Sequence, residues 1–375
     1  MPLISWIDNF DIGNLKFPCA IDKDSEYAAA LKDKYGIFID SLKAAKADKE
    51  SIDIVDRYSE SVMSAVQMYY RGELRDALDE IQKLIHESAK DTYVVTGVKD
   101  CPAYAWDDNP EVQFFRARLS DSVKDFPAEE MLHVPFDERH KLRSQRFSVS
   151  GLPCLNLGNT SYDCWLELGS PAEHRLNVSP VILDDTLSLL NLCVTFYDLR
   201  HKNSDKERDF TIEQVHGTLK SLVLMVATSF VVKQENRNFK SEYIIPQLIM
   251  LACKDEGIDG VAYYSKRVSN DLFAIVAGIN VALFAPYDKE EKLSKICRYI
   301  KAGDSFNFSM FRQLQPSLKY KQYSMKVSNS PYINNIGSMS RQIPYEETEF
   351  YEFDKYLFAN WNKQESVMKP DDEDS

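Results

Sequence analysis

The chain has 375 residues, 44% of them hydrophobic and 12% aromatic, which is enough for one large or two ordinary packed domains and too much for a disordered chain. A net charge of −13 sets the surface against nucleic-acid phosphates and anionic lipid, so neither is expected as a general partner. Seven cysteines, an odd number without Cys-x-x-Cys spacing, fit a reducing compartment and buried free thiols better than a disulfide framework. Met1–Phe10 holds Asp8 and no basic stretch, unlike a signal peptide. The longest apolar run, Leu222–Val232, falls well short of the roughly 20 residues that span a bilayer. The expectation is a soluble, cytoplasmic protein.

Residues 25–88 read as helices. In Ser51–Tyr70 the side chains of Ile54, Val55, Tyr58, Val62, Ala65, Val66 and Tyr69 recur at steps of three and four, which predicts one buried stripe with Ser51 as N-cap and Gly72 as the stop. Leu74, Ala77, Leu78, Ile81, Leu84 and Ile85 predict a second stripe over Glu73–His86 and hence a helical hairpin. The turn-forming runs Lys99-Asp100-Cys101-Pro102 and Asp107-Asp108-Asn109-Pro110 predict a boundary, with a helical domain over 1–105 and a second domain over 106–365. Beyond it, Val112–Ala117 reads as a strand and Pro127–Glu130 as a turn or short helix. Phe147–Leu157 reads as strand, turn and strand around Gly151 and Pro153, and Tyr162–Leu168 as a helix. Thr211–Val232 reads as a core helix. At Ile244–Cys253 the pattern admits a short strand or a helix. Gly257–Tyr264 predicts a turn and a strand, and Asn280–Phe284 another strand. The acidic segment 366–375 is expected to be disordered. Strands and helices do not alternate regularly, so the predicted class is α+β rather than a doubly wound sheet.

Four common chemistries are excluded by their missing motifs: there is no Gly-x-Gly-x-x-Gly, no Walker loop, no Gly-x-Ser-x-Gly and no His-Glu-x-x-His. The six histidines show no ligand spacing, so no metal is expected. The informative stretch runs from Phe114 to Leu168. Arg116, inside the apolar Phe-Phe-Arg-Ala-Arg, either reaches solvent or points into a cleft to meet an anion. Arg139-His140-Lys141-Leu142-Arg143-Ser144-Gln145-Arg146 has four cationic residues in eight positions and no acid. It is either a solvated basic loop or a rim that binds phosphate through arginine forks. Glu167, among Trp165, Leu166 and Leu168, faces a cleft or solvent.

Three blocks, in order, resemble the RES domain, a family named for its Arg, Glu and Ser residues. The first is Phe115-Arg116-Ala117-Arg118. The second is Arg146-Phe147 with Gly151-Leu152-Pro153-Cys154-Leu155-Asn156-Leu157 and the acid of Cys164-Trp165-Leu166-Glu167. The third is Tyr243-Ile244-Ile245-Pro246-Gln247, then Gly257–Ser265, then Asn280–Phe284. The resemblance spans about 112–286 and implies an ADP-ribosyltransferase-like fold, a split mixed β-sheet with helices around an NAD-binding cleft. It implies an enzyme acting on NAD as hydrolase, phosphorolase or ADP-ribosyltransferase, with NAD as substrate and no metal. Many such proteins are toxins of toxin–antitoxin pairs, which suggests a defence role and an antitoxin or regulator docking on the helical domain, with a homo-oligomer also compatible.

On that resemblance Glu167 would stabilise the oxocarbenium-like ribose and hold its 2′-hydroxyl. Arg116 would hold a phosphate or ribose with help from Arg146, Ser265 would position the nicotinamide amide or ribose, and Gln247 is also counted among the NAD-binding residues. Asn156 stands where the family has a tyrosine that stacks on nicotinamide. Tyr162, Tyr263 or Tyr264 would have to supply that ring, or the activity is weakened, redirected or lost. The competing readings are a nucleotide-binding module without turnover and a scaffold.

Overall fold

The computed structural model describes residues 4–11, 15, 17–21, 26–100, 104–106, 113–193, 211–234, 236–267, 278–315, 325–327, 335–338 and 341–361. In it the two N-terminal stripes become α2 (Lys49–Tyr70) and α3 (Leu74–Ser88), preceded by a further helix, α1 (Tyr27–Ala44). The expected cap of α2 moves by three residues. Asp48, not Ser51, is the N-cap, and its carboxylate accepts the Ser51 N–H at 2.8 Å and the Ser51 hydroxyl at 2.8 Å. Ser51 is thus the N3 partner of the cap, the position at which a buried hydroxyl adds to the cap rather than forming it. Gly72 does end α2, at φ +82°, a left-handed conformation that a side chain would strain. The expected acidic disordered segment 366–375 lies outside the described residues.

The chain forms two compact units that interleave along the sequence. The first comprises 1–96, 145–149 and 188–273, and the second 97–144, 150–187 and 274–375. Helices α1–α3 therefore share a unit with later segments, and the first seam falls between Thr96 and Gly97.

In the first unit α2 and α3 pack on α5 (Ile212–Thr228) and α6 (Ile244–Asp255). Val55, Val62, Val66, Ile81, Ile85, Leu222, Val226, Ile245 and Ile249 are fully buried. At roughly 1.5–3 kcal/mol for each large apolar side chain, this burial dominates the stability of the unit. Tyrosine hydroxyls that would otherwise be stranded donate to carbonyls of α5, Tyr27 to Ala227 in its last turn at 2.9 Å and Tyr35 to Val223 at 3.1 Å. The expected core helix over Thr211–Val232 stops earlier. Thr211 and Gln214 close a capping box at its start, but after Ser229 the chain turns extended, and Phe230–Val231 pairs in parallel with Cys19–Ala20. At Ile244 the open choice resolves to a helix, with Pro246 in the first turn, where its missing N–H costs nothing. Strands β4 (Ser188–Leu192) and β5 (Gly260–Tyr264) pair in parallel.

The second unit is built on an antiparallel run in the order β7 (Ile300–Ala302), β3 (Leu176–Leu183), β1 (Gln113–Leu119), β2 (Cys154–Gly158), β6 (Ile279–Phe284). Parallel and antiparallel pairs coexist, so the protein is a mixed α+β protein. Only Cys154–Gly158 of the expected strand–turn–strand forms a strand. Gln145 and Ser148 instead close a tight bridge, and Gly151, at φ +80°, turns the chain. Phe115, Ala117, Leu176 and Val178 form a cluster with Cys164 of α4 (Ser161–Glu167), with Phe308 and Phe311 of α7 (Phe308–Leu314), and with Phe353 and Leu357 of α8 (Glu349–Ala359). Among the described residues, no helix is long and apolar enough to cross a membrane.

Candidate functional site

Strands β1 and β2 register at one pair only, Phe115 opposite Gly158, and Arg116 is the next residue along β1. Alternation turns Arg116 away from the face that Phe115 shares with α4. Its guanidinium nevertheless fills the gap in the ladder: Nη1 donates to the carbonyl of Asn156 at 2.7 Å. Its Nε is buried and has no hydrogen-bond partner among the described residues. Burial, then the neighbouring Arg118, depresses this guanidinium to about 10. A cation that keeps its charge in such a place favours an incoming anion, because an unsatisfied buried donor carries a desolvation cost that a ligand removes. The thiols beside it are not nucleophiles in waiting, since burial pushes Cys154 up to about 12 and Cys164 higher still.

Glu167 ends the two-turn helix α4. Thr160 caps the helix by accepting the Asp163 N–H at 3.0 Å, and Trp165 Nε1 donates to the Pro171 carbonyl at 2.9 Å, fixing the far end. The Glu167 side chain is exposed, yet its Oε1 accepts a hydrogen bond from Asn280 Nδ2 at 2.9 Å. Asn280 lies opposite Gly158 on β6, and Ala282 opposite Asn156. Two residues along a strand are about 7 Å. Arg116, Asn156, Glu167 and Asn280 thus gather around the last three residues of β2.

Of the remaining predicted residues, Arg146, Gln247, Tyr264 and Ser265 belong to the first unit and Tyr162 to the second. Arg146 donates from Nη1 to the Thr228 carbonyl and from Nη2 to the Phe230 carbonyl, both at 2.9 Å, so it caps the C-terminal end of α5. Gln247 Nε2 donates to the carbonyls of Gln145 at 3.0 Å and Ser148 at 3.3 Å and holds the turn that carries Arg146. Ser265 is fully buried just past β5, and its hydroxyl accepts the Arg267 N–H at 3.3 Å. The tyrosines considered as stand-ins for a stacking ring all have other work. Tyr264 donates to the Cys193 carbonyl at 2.7 Å, Tyr263 packs on Phe147 with ring centres 4.8 Å apart, and Tyr162 packs on Phe350 at 5.4 Å. The basic run 139–146 is likewise divided: Arg139 stacks over Tyr287 at 4.4 Å, while Lys141 pairs with Glu138 at 2.9 Å.

Sequence reasoning gave Asn280 no role, although it opens the Asn280–Phe284 block. It also missed His133. That imidazole is buried, its Nδ1 lies 2.8 Å from the Val134 carbonyl, and its Nε2 accepts the Ser294 N–H at 2.9 Å. Accepting that bond requires a neutral ring, and burial lowers its pKa accordingly.

The fold and this site define a mixed α+β protein in which a carboxylate held by Asn280 and a half-buried arginine held by the Asn156 carbonyl flank β2. No family model matches the chain. It is similar to "Putative toxin YopC" of Bacillus subtilis (strain 168), with 26% identity over 329 residues that cover 82% of this chain and 72% of that protein. Among solved structures it matches one described as the M. tuberculosis MbcT–MbcA toxin–antitoxin complex, at a TM-score of 0.29 and 11% identity, over 63% of this chain and 97% of that one.

Proposed function

We propose that this chain breaks the nicotinamide–ribose bond of NAD and acts as a toxin or defence effector, with an antitoxin or regulatory protein as its partner. The observations that carry the reading are the Glu167–Asn280 pair on one side of β2 and, on its other neighbour β1, Arg116, whose buried Nε has no partner among the described residues. A substrate that needs both groups has an anionic part and a carbon that becomes positive. NAD fits: its pyrophosphate is the anion, and C1′ of the nicotinamide ribose is the carbon. When the C1′–N bond breaks, its electron pair goes to the pyridinium nitrogen, which becomes neutral nicotinamide. Glu167 faces the oxocarbenium-like ribose and accepts from its 2′-hydroxyl, while Asn280 keeps the carboxylate aimed. Water attacking C1′ gives ADP-ribose and a proton. Phosphate or a protein side chain in the same place gives phosphorolysis or ADP-ribosyl transfer. The likeness to a protein named as a toxin supports an effector role.

The test is nicotinamide release from NAD by the wild type beside Glu167→Gln. The expected result is a loss of about 10²–10³-fold in kcat, the usual cost of removing one transition-state electrostatic group. Equal rates would refute the assignment. Ser265 belongs to the other compact unit and is tested on its own: Ser265→Ala should raise KM for NAD if it positions the substrate. A second reading, nucleotide binding without turnover, is favoured by Asn156 and by the committed tyrosines. Calorimetric binding of NAD with no nicotinamide release would select it.

A further inference from the structure

Among the carboxylates that the proposed reaction leaves unused, Asp354 is fully buried on α8. Phe350, Asp354 and Leu357 follow one another at helical spacing on the face that packs on α4 and β3. A leucine there would cover the same apolar surface without desolvating a charge, and such replacements are often neutral or stabilising. The retained carboxylate makes two bonds. Oδ1 accepts the Ser161 N–H at 3.2 Å, and Oδ2 accepts the Tyr345 hydroxyl at 2.6 Å. Ser161 is the first residue of α4, and its N–H is one of those a helix start leaves open. Thr160 and Asp354 therefore share the first turn, with the Asp163 N–H on one and the Ser161 N–H on the other. The Ser161 hydroxyl reaches the same helix, donating to the Phe350 carbonyl at 3.5 Å. Glu167 sits six residues on, about 9 Å along the axis, so a displaced start moves the carboxylate directly.

We propose that Asp354 is a positioning residue for Glu167: by holding the Ser161 amide and the Tyr345 hydroxyl together, it ties α4 to the C-terminal helix and sets where the reacting carboxylate lies. The inference rests on the NAD-cleaving reading for its effect on rate, but the anchoring itself can be read without any activity.

The experiment uses the full chain and two variants, Asp354→Leu and Asp354→Asn. Leucine removes both acceptors and keeps the packing. Asparagine keeps an acceptor for Ser161 and can exchange roles with the Tyr345 hydroxyl. In Asp354→Leu, kcat for nicotinamide release should fall about ten- to a hundredfold, the cost of a misplacement near 1 Å, while KM for NAD stays within about twofold. Asp354→Asn should stay within about twofold of wild-type kcat on the same reasoning. Hydrogen exchange of the peptide 158–167 should speed up about tenfold or more in Asp354→Leu and not in Asp354→Asn. A folded Asp354→Leu protein with unchanged kcat and unchanged α4 exchange overturns the proposal, and so does a loss carried wholly by KM. If Asp354→Leu does not fold, Tyr345→Phe takes its place, with a fall of about threefold in kcat expected from the loss of one hydrogen bond and no fall counting against the proposal. If the wild type releases no nicotinamide, the proposed activity fails, and the exchange comparison alone decides the anchoring.

Discussion

Asp354 also makes a quantitative statement about pH. Burial lifts its carboxyl from 3.8 to about 7, although the Ser161 amide and hydroxyl and the Tyr345 hydroxyl pull the other way. No basic side chain makes an ion pair with it among the described residues: Lys355 on α8 pairs with Glu352, and Arg312 on α7 with Glu173 and Glu349, while Asp163 and Cys164 of α4 bring no positive charge. The folded chain therefore keeps a proton between 3.8 and about 7 that the unfolded chain releases. Stability from this group is complete below 3.8 and is lost as the pH rises through about 7, the sign for a carboxyl raised on folding. The slope reaches about 1.4 kcal/mol per pH unit, so from pH 5 to pH 7 the loss is roughly 2 kcal/mol, a substantial part of a domain's stability. Asp354→Asn cannot titrate. The difference in stability between variant and wild type should therefore shift by that amount across the interval, in favour of the variant at neutral pH. Native-state hydrogen exchange of the peptide 349–359 in urea, at both pH values, reads the unit that contains α8. A difference that does not change with pH would refute the reasoning.

Asn280→Ala should leave the melting temperature nearly unchanged and lower kcat roughly tenfold, because Glu167 loses its fixed partner; an equal loss through KM would argue against orientation. Gly217→Ala should cost about 1–3 kcal/mol in urea unfolding, since the new Cβ would lie 2.7 Å from Asp91 Oδ1 and 2.9 Å from Tyr93 Cβ. His133 should titrate below its ordinary 6.5, so its contribution to stability is present above that value and lost as the pH falls through the lower folded value. A ¹⁵N NMR titration of the ring with its midpoint at or above 6.5 would contradict the buried Nε2 acceptor.

The helical stripes were legible because periodicity is local, although Leu74, counted in the second stripe, is exposed. Ile54, Val55, Tyr58, Val62 and Val66 announce a buried face wherever the partner lies, and all five are buried. Caps were less legible, because Asp48 and Ser51 both have capping side chains and only the backbone decides which is first. Within the site, alternating apolar neighbours exposed Arg116 as an anomaly, and the resemblance picked out Glu167. Composition gave no means of separating Arg116, whose Nε keeps an open hydrogen bond, from Arg146, whose two bonds go to carbonyls 82 and 84 residues away. Asp354 left no sequence signal, because an aspartate in an amphipathic helix reads as a solvated charge and its partner Ser161 is 193 residues distant.

The interleaving of the two units has a consequence for synthesis. The chain passes from one to the other at 96/97, 144/145, 149/150, 187/188 and 273/274. Helices α1–α3 emerge early, yet the surfaces they pack on, α5 and α6, do not exist until residue 255 has been made. A cut at 105 would separate those helices from α5 and α6, on which they pack. The second unit waits longer still. Its acid-bearing helix α4 is translated near the middle of the chain, but the side chain that anchors it arrives only with α8. On the proposed anchoring, Glu167 would gain its final placement near the end of translation, and the proposed activity would remain latent on the nascent chain until then.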